Sequence, residues 1–273
     1  MQISPQNQPV EKIICVPEFA SLLVLCGGQL HILNMYSLEI SATIPKEVGT
    51  MATSVRAIGQ LMGVKGDNSV TSFCVQYPRE LFRVCCQIRG AIMFYEILGS
   101  KGEQPEPFLT IPLQENQLGQ QMEWTERRCV IGTTQEYISF DLTTRIPQQL
   151  FALDNSPAQI ICTHEDLLLV SGRVGVFVDY ESRITRGSIT WSSPPLSVSY
   201  SYPYIVALLL GGKIEVHNIY NQRQVQILEY TQRFRHISKG ELLLMAIRDQ
   251  IYCLTAKPIE EQVIFILNIR IVI

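Results

Sequence analysis

The four histidines are the first candidates for chemistry, because imidazole is the side chain that most readily exchanges protons near neutral pH. They are His31, His164, His217 and His236, and they lie far apart in the sequence. His31 and His217 fall at polar positions of alternating segments or beside them, so we predict surface or edge histidines rather than catalysts. The sequence also lacks a Gly-x-Ser-x-Gly elbow, a phosphate-binding loop and a dinucleotide fingerprint. We therefore predict a protein that is not an enzyme, with no catalytic, cofactor-binding or metal-binding residue and no cofactor.

The carboxylates show no spacing that suits a catalytic pair. Asp141 and Asp179 each end a predicted strand, where a side-chain oxygen can accept hydrogen bonds from nearby backbone amides. We predict that both residues form turns. Glu260 and Glu261 follow Pro258, and we interpret them as the first turn of a helix.

One small basic cluster could contact an acidic partner or a phosphoinositide. It surrounds Phe234 and consists of Arg233, Arg235 and His236. Three such residues attract an anion only weakly at physiological ionic strength, so we predict a solvated strand face instead.

Trp191 could be an exposed recognition element, but an aromatic ring of this size more often fills the space between packed sheets. We therefore predict that Trp191 is buried. The short segment Arg186, Gly187 and Ser188 contains a potential phosphorylation site. No further chemistry follows from this region of the sequence.

The eight cysteines bear on the compartment. They are residues 15, 26, 74, 85, 86, 129, 162 and 253, and most lie within apolar, strand-like runs. None has the spacing of zinc ligands. The adjacent Cys85 and Cys86 would point to opposite faces of a strand. We predict reduced, buried cysteines in a cytosolic protein, and a secreted disulfide framework is the alternative.

Composition excludes several classes of protein. Of the 273 residues, 47% are hydrophobic and 17% are charged, which argues for a large core and against a disordered regulator. The net charge of −3 gives no overall attraction for nucleic acid or an anionic membrane. No apolar run reaches the roughly 18 residues of a membrane span, and the first residues lack the pattern of a signal peptide.

The elements that must position these residues are short strands, and one hairpin occurs twice. The segment LLVLCGGQLHILNMY (22–36) aligns with VALLLGGKIEVHNIY (206–220). In each copy a Gly-Gly pair separates two strand-like runs, and glycine reaches the positive φ of a tight hairpin turn without a Cβ clash. The first run is apolar throughout, so we expect that strand to be covered on both faces.

A longer repeat follows in the second half of the chain. Apolar runs are centred near Val130, Leu168, Val206 and Leu243. Their spacing of about 38 residues, with about four strands in each unit, is typical of propeller blades. We predict an all-β fold, a β-propeller of about six four-stranded blades or an incomplete seven-bladed ring.

Several boundaries follow from this pattern. We predict strands at residues 51–58 and 183–191, a loop at 59–69, and an edge or swapped strand in the final run, VIFILNIRIVI (263–273). For the domains, we expect a flexible lead-in at 1–10, the propeller at 11–257, and a remnant of a link to an α-solenoid or a divergent tail at 258–273.

Five segments carry a resemblance to a known family. They are LLVLCGGQLHILNMYSLE (22–39), SFCVQ (72–76), CVIGTTQEYISFDL (129–142), GVFVDYESRITRGSITWSSPPLSVSYSYPYIVAL (175–208) and IEVHNIYNQRQVQIL (214–228). In this order they resemble the citron homology (CNH) domain over about residues 10–262. Within that family they are most similar to the N-terminal propeller of the vacuolar-sorting tethering subunits of CORVET and HOPS, which include the TGF-β-receptor-associated proteins.

The resemblance implies a non-catalytic interaction propeller that acts in vesicle-mediated transport and membrane fusion. The implied partners are tethering-complex subunits, an endosomal small GTPase or a receptor tail, with no nucleic acid. The implied location is the cytoplasm, peripheral on endosomal or vacuolar membranes. Two alternatives remain open, a CNH domain of a kinase or small-GTPase exchange factor and a propeller enzyme. No family motif matches position by position, so the partner-binding residues are unknown.

Overall fold

The computed structural model describes residues 9–44, 70–77, 81–88, 90–97, 105–114, 119–125, 127–154, 156–230, 234, 236–238, 243–247, 250–256 and 267–272. The predicted strand at 51–58, the loop at 59–69, and Arg233, Arg235, Glu260 and Glu261 lie outside these residues. Among the residues described, no helix is long and apolar enough to span a membrane.

The described residues form 23 strands and one short 3-10 helix, at Pro17–Phe19. The strands are β1 Val10–Val16, β2 Ser21–Cys26, β3 Gln29–Asn34, β4 Ile40–Ile44, β5 Val70–Tyr77, β6 Arg83–Ile88, β7 Ala91–Glu96, β8 Pro107–Pro112, β9 Gly119–Thr125, β10 Arg128–Thr133, β11 Glu136–Asp141, β12 Pro147–Ala152, β13 Gln159–Cys162, β14 Leu167–Ser171, β15 Val174–Val178, β16 Ile189–Thr190, β17 Pro195–Ser201, β18 Tyr204–Leu209, β19 Lys213–Asn218, β20 Gln224–Glu229, β21 Leu243–Ile247, β22 Gln250–Ala256 and β23 Leu267–Val272.

Consecutive strands of the described residues pair into five sheets, which we divide into blades 1 to 6. Blades 1, 4 and 5 are separate four-stranded sheets of β1–β4, β13–β16 and β17–β20. Blades 2 and 3, β5–β8 and β9–β12, join into one eight-stranded sheet through parallel pairing of β5 with β9. Blade 6 contains β21, β22 and β23. This succession of up-and-down sheets confirms the predicted all-β fold of propeller blades.

Contacts divide the chain into two compact units. Unit 1 comprises residues 1–134 and 138–149, and unit 2 comprises residues 135–137 and 150–273. In unit 1, one apolar cluster joins Leu23 of blade 1 to Phe73 and Met93 of blade 2. Glu215 on β19 and the exposed Tyr202 and Tyr220 lie in unit 2.

Strand β18 shows why the middle of a blade is apolar on both faces. Val206 and Leu208 pack with Leu243 and Met245 of blade 6. Ile205, Ala207 and Leu209 point to the other face and pack with residues of blade 4. The outer strand β20 is instead mostly exposed. Because blade 5 lies between blades 4 and 6, alternation along its middle strand distributes side chains to two cores rather than to a core and solvent.

Both predicted Gly-Gly turns are present. Gly27 and Gly28 have φ angles of 59° and 73°, and Gly211 and Gly212 have φ angles of 90° and 86°. These left-handed values are favourable for glycine and strained for other residues. The turns connect β2 with β3 and β18 with β19, so the repeated hairpin is confirmed.

Polar side chains connect strands of different sheets within unit 2. The Tyr137 hydroxyl accepts a hydrogen bond from Gln159 N–H (2.9 Å) and donates one to the Val170 carbonyl (2.6 Å). The Gln159 side chain donates to the Pro195 carbonyl (2.9 Å) and accepts from Val198 N–H (3.0 Å). On blade 5, Ser199 and Ser197 continue the series to the carbonyl of Ser238 and the amide of Ile237. These contacts are buried or partly buried, so each one replaces water with a protein partner.

The predicted strand at 183–191 is wrong in extent. Only Ile189–Thr190 pairs with β15, and a single bridge joins Val178 to Ile184. The reason is the turn at Asp179, after which the chain bends so that Arg186 reaches two carboxylates on a different loop. At the other end of the chain, β23 lies at the edge of blade 6, as predicted for the final run.

Candidate functional site

Two of the four histidines are not at the surface, which corrects the prediction for them. His31 and His217 lie on β3 and β19 and are buried, because those strands are enclosed on both faces. His31 Nδ1 is 3.0 Å from Thr43 Oγ1, and burial lowers the pKa of His31. His164 and His236 are exposed, as predicted.

His217 belongs to a buried polar cluster around Glu215. Glu215 is fully buried on β19, and its carboxylate lies 3.0 Å from Lys213 Nζ and 3.5 Å from His217 Nε2. Ser192, just after β16, donates to the carboxylate from its hydroxyl and from its backbone N–H. Burial alone would raise the pKa of Glu215, but the hydrogen bonds from Ser192, Lys213 and His217 outweigh it and hold this pKa below its ordinary value.

The order of groups in this cluster does not suit nucleophilic catalysis. A serine nucleophile needs a base within hydrogen-bond reach, and a third group must then orient that base. Here the Ser192 hydroxyl donates to the carboxylate rather than to the imidazole, and it also lies 3.0 Å from Lys213 Nζ. The cluster therefore connects β19 to the segment after β16. The sequence analysis did not predict this cluster. A signal was present, because Glu215 and His217 alternate with apolar residues on a strand that the blade repeat places between two neighbouring strands.

Within the described residues, no group of three or more His, Cys, Asp or Glu side chains is placed to hold a metal ion. Trp191, in contrast, is fully buried and packs with the core shared by blades 4 and 5, so its predicted packing role is confirmed. Six of the eight cysteines are buried, whereas Cys15 is exposed and Cys162 is half-buried. The Sγ atoms of Cys74 and Cys85 are 3.2 Å apart, longer than the S–S bond of a disulfide.

A surface cleft of unit 2 brings aromatic and charged side chains together, and we call it the aromatic cleft. Its lining comes from strand ends and connecting segments of blades 4 and 5. The residues are Thr163, His164, Glu165, Arg186, Tyr200, Tyr202, Ile219 and Tyr220. None of them was predicted to form a binding site, although Arg186 and His164 were considered singly.

Local hydrogen bonds fix the turn that carries Tyr220. Asn218 ends β19, and its side-chain oxygen accepts the backbone N–H groups of Tyr220 and Asn221. Asp141 and Asp179 make the same kind of turn in blades 3 and 4, which confirms the prediction for both residues. Each side-chain oxygen accepts from backbone amides only two to four residues further along the chain. These turns therefore depend on the local sequence.

The aromatic rings of the cleft contact one another in edge-to-face or tilted pairs. The hydroxyl oxygens of Tyr202 and Tyr220 are 2.8 Å apart, and their ring centroids are 6.3 Å apart at 89°. His164 lies 5.4 Å from the ring of Tyr200 and 5.8 Å from that of Tyr202. Tyr202 and Tyr220 are 60% and 59% exposed. Burial raises the pKa of Tyr200 to about 12.

Arg186 is held at the base of the cleft by two carboxylates. Its guanidinium lies 2.7 Å from Asp166, whose side chain is only 2% exposed, and 2.9 Å from Glu165, whose side chain is 74% exposed. The same guanidinium lies 5.4 Å from the centre of the Phe177 ring. Two carboxylates against one guanidinium leave an excess negative charge at the exposed Glu165. Ser188, two residues further on, is exposed, and its phosphorylation stays a prediction.

Comparisons with known proteins agree with this architecture. Human transforming growth factor-beta receptor-associated protein 1 is 24% identical to the chain over 262 residues, which cover 94% of this chain and 28% of that protein. The mouse protein of the same name is 26% identical over the same coverage. The chain therefore spans little more than a quarter of the length of these relatives.

A solved structure and a family model add to this. The structure described as the AfRom2 CNH domain has a TM-score of 0.58 and 20% identity, and the match covers 91% of this chain and 79% of that one. At that identity the likeness concerns the fold. The model of the CNH domain matches residues 1–238, which is most of the sequence. The chain belongs to the CNH-domain family.

Proposed function

We propose that the chain is the non-catalytic interaction propeller of an endosomal or vacuolar tethering subunit, acting in vesicle-mediated transport and membrane fusion. The observation that carries the proposal is the match along 94% of the chain to proteins named as receptor-associated, together with membership of the CNH family. Both support binding of other proteins as the general role. The tethering complex, the endosomal small GTPase or receptor tail, and the peripheral endosomal or vacuolar location are the specific parts of the proposal.

The side-chain chemistry supports a binding role over catalysis. The buried polar groups that could take part in proton transfer, such as Glu215 and His217, are engaged with their own neighbours. The exposed aromatic groups converge in the aromatic cleft, where a partner could cover them. Exposed tyrosines that gather at one edge are typical of recognition surfaces.

The test is affinity purification of the full-length protein from its own cells, followed by mass spectrometry and by imaging of the tagged protein. We expect enrichment of tethering-complex subunits or an endosomal GTPase, and punctate signal on endosomal or vacuolar membranes. Recovery of none of these, together with diffuse signal, would count against the proposal. In a second experiment the endosomal GTPase is the bait. A variant that cannot hydrolyse GTP is compared with the GDP-bound form of the same GTPase.

A second function is favoured by one specific observation. A GTPase-activating protein of Dictyostelium discoideum is 27% identical over 100 residues, which cover 36% of this chain. This supports a CNH interaction domain in a signalling protein such as a kinase or a small-GTPase exchange factor. The gene that encodes the chain discriminates the two proposals, because an adjoining kinase or exchange domain would favour signalling and an adjoining α-solenoid would favour tethering.

A further inference from the structure

We propose that the aromatic cleft binds a proline-rich segment of a partner protein, with a lysine or arginine next to the prolines. The proposal names a kind of partner for the interaction role proposed above, and it stands on the chemistry of the cleft itself. Three properties carry it: the exposed aromatic faces, the hydrogen-bonding capacity of the hydroxyl groups, and the excess negative charge.

The aromatic faces supply the contact area. Tyr202 and Tyr220 are both more than half exposed, stand almost perpendicular to each other, and have His164 beside them. A pyrrolidine ring can pack on exposed aromatic faces of this kind. Proline-rich segments are already extended before they bind, so they lose little conformational entropy on an aromatic surface.

The hydroxyl groups suit the backbone of such a segment. The Tyr202–Tyr220 hydrogen bond uses one of the two hydroxyl protons, so the other proton remains available to a ligand carbonyl. A polyproline II segment has carbonyl groups without internal partners, and its prolines have no N–H group. The cleft therefore offers a donor where this backbone needs one.

The charge selects the residue beside the prolines. Arg186 is engaged with Asp166 and Glu165, so its charge is compensated. The Glu165 carboxylate is largely exposed and lies on the rim of the cleft. A lysine or arginine of the ligand would pair with Glu165, whereas a phosphate or an acidic peptide would meet an excess of carboxylates. The neighbouring charges thus favour a basic proline-rich segment over an anionic ligand.

Fluorescence polarisation tests the proposal directly. The probe is a fluorescein-labelled peptide of about ten residues with the sequence pattern Arg-Pro-Leu-Pro-Pro-Leu-Pro, titrated with the intact 273-residue chain. One comparison peptide has glutamate in place of arginine, and another has alanine in place of every proline. We expect a Kd of about 10 μM to 1 mM for the basic proline-rich probe. We expect binding at least about tenfold weaker for the two comparison peptides.

Substitutions then locate the site. Tyr202→Ala and Tyr220→Ala should each weaken binding about tenfold, because each removes an exposed ring that the ligand covers. Glu165→Gln should weaken binding of the arginine probe and leave the glutamate probe unchanged or slightly tighter. Tyr36→Ala is the matched control, since Tyr36 occupies the corresponding turn of blade 1, is 79% exposed, and has no ring contact among the described residues. Thermal melting confirms that all variants are folded.

The outcomes decide between the possibilities. No binding at about 1 mM overturns the proposal, as does binding that survives both tyrosine substitutions or that Tyr36→Ala weakens equally. Preference for the glutamate probe overturns the charge argument. Failure of this assay beside successful purification of tethering subunits would reject the cleft and leave the proposed function standing. Peptide binding without recovery of tethering subunits would support the cleft and count against the proposed tethering function.

Discussion

Replacing Glu215 by glutamine tests whether the buried cluster on β19 holds blade 5 in place. The substitution keeps the size of the side chain and removes its charge. The carboxylate accepts hydrogen bonds from Lys213, from His217 and from the hydroxyl and amide of Ser192. A glutamine has one acceptor oxygen, and its NH2 group would face other donors in the same space.

The magnitude follows from these partners. A hydrogen bond to a charged group contributes about 1.5–3 kcal/mol, against about 0.5–1.5 kcal/mol for a neutral pair. Lys213 is 29% exposed, so water can solvate part of its charge once the partner is lost. We expect Glu215→Gln to lower the free energy of unfolding at neutral pH by about 1–3 kcal/mol. For a chain of this length that corresponds to a melting temperature lower by about 2–10 °C.

The pH dependence provides an internal check. The pKa of Glu215 in the folded protein lies below its ordinary value of 4.5, so the carboxylate contributes stability that is fully present above pH 4.5. That contribution is lost as the pH falls through the folded pKa. The difference in stability between the wild-type protein and Glu215→Gln should therefore be constant in neutral solution and shrink in acid below pH 4.5.

Urea unfolding followed by tryptophan fluorescence measures both quantities across the pH range. Glu229→Gln is the matched control, because Glu229 is exposed on β20 of the same blade, and we expect a change within about 0.5 kcal/mol. A loss in Glu215→Gln no larger than in this control would refute the reasoning. So would a loss of the same size at acid and neutral pH.

Three further predictions concern packing, turns and thiols. Gly175→Ala should lower the free energy of unfolding in urea by about 1–3 kcal/mol, because the new Cβ would lie 2.7 Å from Trp191 and 2.8 Å from Leu168. In the control Gly187→Ala, the new Cβ meets only the flexible end of Gln222 at 3.0 Å, so the loss should be small. Equal losses in the two variants would contradict this. Asp179→Ala should lower the free energy of unfolding by about 1 kcal/mol, and Asp179→Asn should leave it almost unchanged. The reason is that asparagine can still accept hydrogen bonds from the amides of residues 181 and 183. An equal loss in both variants would assign the effect to the ion pair with Arg183 instead. Iodoacetamide should modify the exposed Cys15 in the native protein and modify Cys74, Cys85 and Cys86 only after unfolding. The reason is that these three thiols are buried and that burial raises their pKa. The rates are measured by mass spectrometry, and similar rates for all four cysteines would contradict the burial of the three.

The sequence predicted two kinds of feature: turns that depend on a few neighbouring residues, and strands whose residues are apolar throughout because both faces are buried. The apolar stretch of β18 could be assigned because both of its faces are covered, and only apolar side chains satisfy that environment. The Gly-Gly turns and the turns at Asp141 and Asp179 could be assigned because each needs only a few neighbouring residues. Their physical causes act within one hairpin.

The sequence did not predict what depends on neighbours in space. Glu215 and His217 alternate with apolar residues on β19, a pattern that normally indicates a solvent-facing side. In this blade the second face is also enclosed, so the polar residues are buried and satisfy one another. The aromatic cleft needs turns from residues 163–165, 202 and 220, and the exposure of each ring depends on the geometry of those turns. The segment 183–191 deviated from a strand for a similar reason, the bend toward Asp166.

The polar contacts between neighbouring sheets in unit 2 determine how this unit unfolds. Within unit 2, Tyr137 contacts strands of blade 4, Gln159 links blade 4 to blade 5, and Ser199 extends the links to Ser238. Separation of any one sheet would expose several unsatisfied donors and acceptors on its neighbour, at a cost of about 1–3 kcal/mol each. Opening of a single sheet is therefore penalised relative to concerted melting. In native-state hydrogen–deuterium exchange, the amides of β14 and β17 should show the same opening free energy and respond alike to small amounts of denaturant.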